Sequence, residues 1–316
     1  MRNLQYAKVL QKNSFPNRLK RNVRTHWELY LFCIPGLILI VIFNYIPMYS
    51  GILMSFMNYI PRRGLSGSEW IGIKNFRIFF SSFYFKQYLW NTLRVSIYSL
   101  VAGFPLPIIL AIMINEIISP RFKKTFQTIS YAPYFISMVV IVSMLKLFFS
   151  EVGIVNSIIT LLGGESVYFE AKAGIFPHMY VWSGIWQSTG YSSVLYLATL
   201  SSVDPQLIDA ARIDGANKVQ RIWNIDIPAI LPTATIMLIF AVGSLLSVGF
   251  EKVLLMQTPI NIEYSEIIST YVYKVGILMS KMSFSAAVGL SNSIANFILL
   301  VTVNFIVKRM SETSLW

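Results

Sequence analysis

Long apolar runs that recur along one chain leave few folds open. A helix rises 1.5 Å per residue, so about 20 apolar residues cross the hydrocarbon layer of a bilayer. Six such blocks stand in this sequence, at roughly Leu29–Phe56, Trp90–Ile118, Thr125–Phe149, Ile175–Leu200, Ala229–Met256 and Phe284–Val307. The fourth is diluted by Ser, Thr and Gly. Only 13% of the 316 residues are charged, against about a quarter in an ordinary soluble domain. Backbone polar groups inside lipid must bond within their own segment, which selects helices here. The expected fold is an all-α integral membrane protein of about six transmembrane helices. Pro35 and Pro47 would kink the first of them. That block is longer than a signal-peptide core and reads as a retained anchor.

The net charge of +12 would suit nucleic acid if it were spread over a surface. Instead, Lys and Arg flank the apolar blocks. With the N-terminus inside, fifteen of the 26 fall in segments facing the cytoplasm. This bias follows the positive-inside rule and puts both termini in the cytoplasm. Residues 1–28 form a basic tail, 29–308 one membrane domain, and 309–316 a second tail; no nucleic-acid partner is expected. The single Cys33 excludes a disulfide scaffold. His26 and His178 lie on opposite expected sides, so no metal site is expected.

The segment 202–228 is polar where its surroundings are apolar. Asp204 suits a helix N-cap and Pro205 the first helical position. Leu207, Ala210, Ala211 and Asp214 follow on one face, and Gly215 suits a tight bend. A second short helix is expected from about Asn217 to Asp226, stopping before Pro228, with Val219, Ile222 and Trp223 sharing a face. Two readings fit: a docking element for the groove of a cytoplasmic partner, or a re-entrant loop packed on its own membrane helices.

This segment, "DAARIDGANKVQRIWNIDIP" at residues 209–228, resembles the cytoplasmic signature of binding-protein-dependent ABC importers. The Asp-Gly-Ala core at Asp214, Gly215 and Ala216 matches, as do Ala210, Ala211 and Pro228; Asp209 stands where the family has glutamate. "FQTISYAPYFIS", "LYLATLSSVDPQLIDAA", "GFEKVLLM" and "FSAAVGLSNS" resemble the branch that carries complex sugars. The resemblance implies a bacterial cytoplasmic-membrane permease that forms half of a translocation pore by alternating access. Its implied partners are a second homologous permease, two ATPase subunits that hold MgATP, an extracellular solute-binding protein and an oligosaccharide. The implied ATPase contacts are Asp209, Ala210, Ala211, Asp214, Gly215, Ala216, Trp223 and Pro228. The chain itself has no G-x-x-x-x-G-K-[ST] phosphate cradle, so it carries no cofactor and energy enters through a partner.

Sugars bind through aromatic faces and planar hydrogen-bonding groups. Candidates at membrane depth are Tyr131, Tyr134, Trp182, Trp186, Gln187, Tyr191 and Tyr196, with Asn292 and Asn296 one turn apart. Each has a second reading: an aromatic belt for the rings and cross-helix bonds for the asparagines. Ser285, Gly289 and Ser293, spaced by four, read as a packing seam. Ile71, Phe76, Phe79 and Phe80 form either an interfacial helix or packing over helix ends. Outer-loop Arg62, Arg63, Lys74 and Arg77 would suit an acidic saccharide. No motif of a membrane-embedded enzyme stands out. The rival function is an ion-coupled secondary sugar transporter, with Glu251 as a relay.

Overall fold

A computed structural model describes residues 25–310. The basic tail, apart from residues 25–28, and the C-terminal residues 311–316 lie outside that range. Apolar periodicity is absent from the first block because every side of it is apolar. It forms α1 (Trp27–Ile40), a π-turn (Val41–Tyr45) and α2 (Ile46–Ser55). No residue of α1 or the π-turn is buried. A small antiparallel ladder follows, with Met57 opposite Trp70 in β1 (Met57–Asn58) and β2 (Glu69–Trp70). Next comes α3 (Lys74–Phe80). Phe79 of α3 is buried against Phe85 and Phe284. Phe79 therefore packs over the starts of two later helices, at Phe85 and Phe284, while Phe80 remains exposed.

The second block is α4 (Phe85–Gly103) running into α5 (Pro105–Asn115). The third is α6 (Pro120–Tyr131), a 3-10 turn and α7 (Met138–Phe148). It was expected to be one helix, but it bends by 95°. Pro133 removes a backbone donor, and Ser137 starts a new helix by accepting from the Val140 amide at 3.4 Å. A short α8 (Ile154–Leu161) leads to α9 (Phe176–Ser201), the fourth block, which is 26 residues long.

The fifth block begins earlier and ends sooner than expected. After α10 (Pro205–Ile213), α11 (Lys218–Arg221) passes through a π-turn (Ile222–Asp226) into α12 (Ile227–Gly243). The second loop helix does not stop before Pro228; it continues into the membrane as one 26-residue helix, Lys218–Gly243. A proline ring clashes with the carbonyl four residues back. The π-turn relieves this by widening, so the Ile227 amide donates to the Ile222 carbonyl. The same device precedes Pro47, where Ile46 donates to Val41. Pro35 sits inside α1 without interrupting it.

The helix then breaks at 244–249 and resumes as α13 (Phe250–Met256). Short α14 (Ile262–Ser265) and α15 (Ile268–Tyr273) follow before α16 (Met282–Met310). Among the described residues four helices are long and apolar enough to cross a membrane, or five with the bent pair. The fourth block is as long as a span but more polar. α9 packs along α5, and both α2 and α12 pack along α16.

Among the described residues the two larger apolar cores lie toward opposite ends of the bundle. One joins Ala111, Ile114, Tyr196, Leu197, Leu200, Ile230 and Ala234. The other joins Val95, Val142, Phe176, Val253, Met256 and Ile267. A smaller cluster joins Phe79, Ile268 and Val288. Between the two larger cores, parts of the second, fourth and fifth blocks line open space rather than each other.

Candidate functional site

The polar segment folds from local signals alone. The Asp204 carboxylate accepts from the Gln206 amide at 2.9 Å and starts α10. Its end is a Schellman motif: the Ala216 amide donates to the Ala211 carbonyl at 2.9 Å and Gly215 donates to Arg212 at 3.1 Å. This closure needs a left-handed residue, and Gly215 has φ +77°. Asn217 and Gln220 then form a reciprocal capping box at 2.8 and 2.9 Å. No residue of α10 or α11 is buried. Leu207, Ile213, Val219 and Trp223 are all exposed, Trp223 at 65%. Asp209 pairs with Arg212 one turn on, at 3.2 Å on the surface.

The loop is pinned to the membrane bundle by a residue that sequence reasoning missed. Glu116, just beyond α5, accepts from Arg221 at 3.4 Å and lies 3.6 Å from Lys218. Buried Asp226 shares this corner. Nothing local in the sequence links position 116 to 221; only their charge signs hint at it.

A cleft of about 660 Å³ opens between the two cores. α4 and α5 present Ser96, Ser99, Gly103 and Pro107 to it. Across from them, α9 offers Gly184, Ser188 and Ser192, spaced by four. The broken fifth block contributes Ser244, Ser247, Gly249, Glu251 and Lys252. Three of the small residues that dilute the fourth block thus form its cleft-facing stripe. That spacing was readable in the sequence, and it is the signal that could have found the site.

Of the aromatic and amide candidates, only Gln187 lines this cleft; its amide donates to the Ile136 carbonyl at 3.1 Å, across the bend in the third block. Trp182 and Trp186 line a separate apolar groove between α7 and α9, and the Trp182 indole donates to the Tyr98 hydroxyl at 2.8 Å. Tyr134 stacks on Tyr191 at 4.0 Å, half-exposed, and Tyr131 is half-buried nearby on α6. Tyr196 is buried in one of the cores. Asn292 and Asn296 hold the break in the fifth block. Asn296 accepts from the Leu246 amide at 3.0 Å and donates to Ser247 at 2.9 Å, while Asn292 donates to the Leu246 carbonyl at 3.3 Å. In the expected seam Ser285 meets Gly276, whereas Gly289 has no neighbour against it.

Residues 103–312 match the model of the family described as binding-protein-dependent transport system inner membrane component. The chain belongs to this family. Protein LplB of Bacillus subtilis is 40% identical over 294 residues, 93% of this chain and 92% of the relative. The polygalacturonan/rhamnogalacturonan transport system permease protein YteP of the same species is 38% identical over 309 residues, 98% and 96% of the two chains. A solved chain of the bacterial alginate ABC transporter, in complex with an alginate pentasaccharide-bound periplasmic protein, superposes with a TM-score of 0.85 at 35% identity. It covers 94% of this chain and 100% of its own length. The protein is a multi-pass membrane permease subunit of an ABC importer, a transport component and not an enzyme. This displaces the ion-coupled transporter as a reading.

Proposed function

We propose that this permease subunit carries oligosaccharides or polysaccharide fragments, with the hydroxyl-lined cleft as its half of the translocation path. The cleft supports the reading: it sets six serine hydroxyls, Gln187, Glu251 and Lys252 among apolar side chains, lies between two apolar cores and is lined mainly by three membrane blocks. The saccharide transport named for YteP and for the alginate transporter points the same way. Its partners are a second homologous permease, two ATPase subunits holding MgATP, and an extracellular solute-binding protein. Both termini face the cytoplasm.

In this reading the exposed two-helix element docks into an ATPase groove. Asp209, Ala210 and Ala211 lie on its first helix; Asp214, Gly215 and Ala216 form its tight bend, Trp223 its aromatic anchor, and Pro228 its joint to the membrane helix. The helix Lys218–Gly243 is continuous, so a push on Trp223 travels along one rigid rod to Ser244 at the cleft. Glu116 ties the same rod to α5. Movement of the ATPases therefore reshapes two cleft walls together, which is the requirement of alternating access. Tyr131, Tyr134, Trp182, Trp186 and Tyr191 belong to surfaces outside the cleft on which the second permease or lipid packs, Gln187 stays on the path, and Asn292 and Asn296 support it.

The test is uptake by the assembled complex in vesicles loaded with ATP. Uptake that survives collapse of the proton gradient, together with a cysteine cross-link from position 216 or 223 to the ATPase, is expected. A cross-link absent from an active complex removes the docking role. Uptake without nucleotide removes the whole reading.

A further inference from the structure

Lys252 is the anomaly of the cleft. It is only 4% exposed, and a buried ammonium is costly unless its donors are satisfied. Its Nζ donates to the Tyr180 carbonyl at 2.9 Å and sits 4.9 Å from the centre of the Tyr180 ring. Among the described residues no carboxylate pairs with it, although Glu251 precedes it and lines the same cleft. An ammonium has three donors, and one carbonyl accepts from one of them. Gly184 faces it: a β-carbon there would stand 3.3 Å from Nζ. The space before the charge is kept open by a glycine, and Ser188 lies one turn further along the same stripe.

A fixed cation with spare donors, held at the wall of a hydroxyl-lined path, favours an anion that brings acceptors of its own. We propose that Lys252 recognises a carboxylate of the passing saccharide, so that the cargo is uronate-bearing. The hydroxyls of Ser188, Ser192 and Ser247 then face the sugar ring hydroxyls. Being a point charge on a flexible stem, lysine attracts successive carboxylates without locking any one in place, which suits a path that must also release its cargo. This inference rests on the saccharide-importer reading above.

The experiment uses the complete complex in ATP-loaded vesicles, supplied with its binding protein and either labelled trigalacturonate or the neutral arabinotriose. Wild-type complex should import trigalacturonate. Lys252→Met and Lys252→Gln should each lower that uptake at least tenfold, while Lys252→Arg keeps most of it. Stimulation of ATP hydrolysis by sugar-free binding protein should persist in all three, which separates lost recognition from lost assembly. Wild-type import of arabinotriose but not trigalacturonate overturns the inference and leaves the importer reading standing, even if no variant assembles. Undiminished trigalacturonate uptake by Lys252→Met, or equal loss of both sugars, also overturns it. ATP-driven import of neither sugar would remove the importer reading, and this inference with it.

Discussion

The two-helix loop at 204–228 and the break at 244–249 both interrupt apolar sequence, yet they are held in different ways. The loop closes on itself: each of its caps is satisfied within five residues, at Asp204, Gly215, Asn217 and Gln220. The break is closed from about 50 residues away, by Asn292 and Asn296 of α16. A self-capped element keeps its shape while its side chains stay exposed for a partner. A break capped by another helix is shaped by how the bundle packs, so it changes when the bundle moves. These are the properties that the docking and path roles proposed above would each call for.

The largest effect expected concerns neither region but the crossing of α6 and α9 beside the cleft. A β-carbon at Gly190 would collide with the carbonyl oxygen of Ser130. Gly190→Val should abolish recovery of assembled complex, followed by size-exclusion profile in detergent; a normal profile would mean that this crossing is loose. Trp223→Ala comes next. Because Trp223 is 65% exposed, thermal stability should hardly change while ATP-driven uptake falls tenfold or more. A matched fall in melting temperature would transfer Trp223 from partner contact to internal packing.

Asn296→Leu strands the Leu246 amide and the Ser247 hydroxyl, which predicts a loss of roughly 1–3 kcal/mol. Thermal denaturation checks it, and no change would mean that the break is self-supporting. Gly215→Ala forces a side chain into left-handed backbone at a cost of about 1–2 kcal/mol. Its effect should appear as weaker ATPase retention on co-purification; full retention would show that the bend adapts. The smallest effect belongs to Glu116→Gln. Lys218 is largely exposed and Arg221 keeps buried Asp226 as a neighbour, so the loss should stay below about 1 kcal/mol. It is read as uptake below wild type at low salt that converges on wild type at high salt, where the native ion pair is screened.

The handle was legible because its signals are short-range. Asp204-Pro205, Asp214-Gly215 and Asn217 to Gln220 each act over one helical turn, and the bend came out as expected. Its continuation past Pro228 was misjudged, since a π-turn absorbs a proline when the helix beyond it is stabilised by packing. The bend of the third block was signalled by Pro133 and Ser137, but the apolar run around them masked the signal. The path was least legible. Large aromatics drew attention to α9, whereas its cleft face is the small stripe of Gly184, Ser188 and Ser192.

Composition and the spacing of apolar blocks settled that the chain is helical and membrane-embedded, because lipid leaves the backbone no other way to satisfy its bonds. The local caps settled the polar loop for the same reason, each donor finding an acceptor within five residues. Which residues face the cleft, which asparagines brace it, and that Lys252 is buried with no carboxylate paired to it among the described residues were decided by tertiary packing. Those facts depend on helices distant in sequence being brought side by side, and hydropathy along one helix does not specify its neighbours.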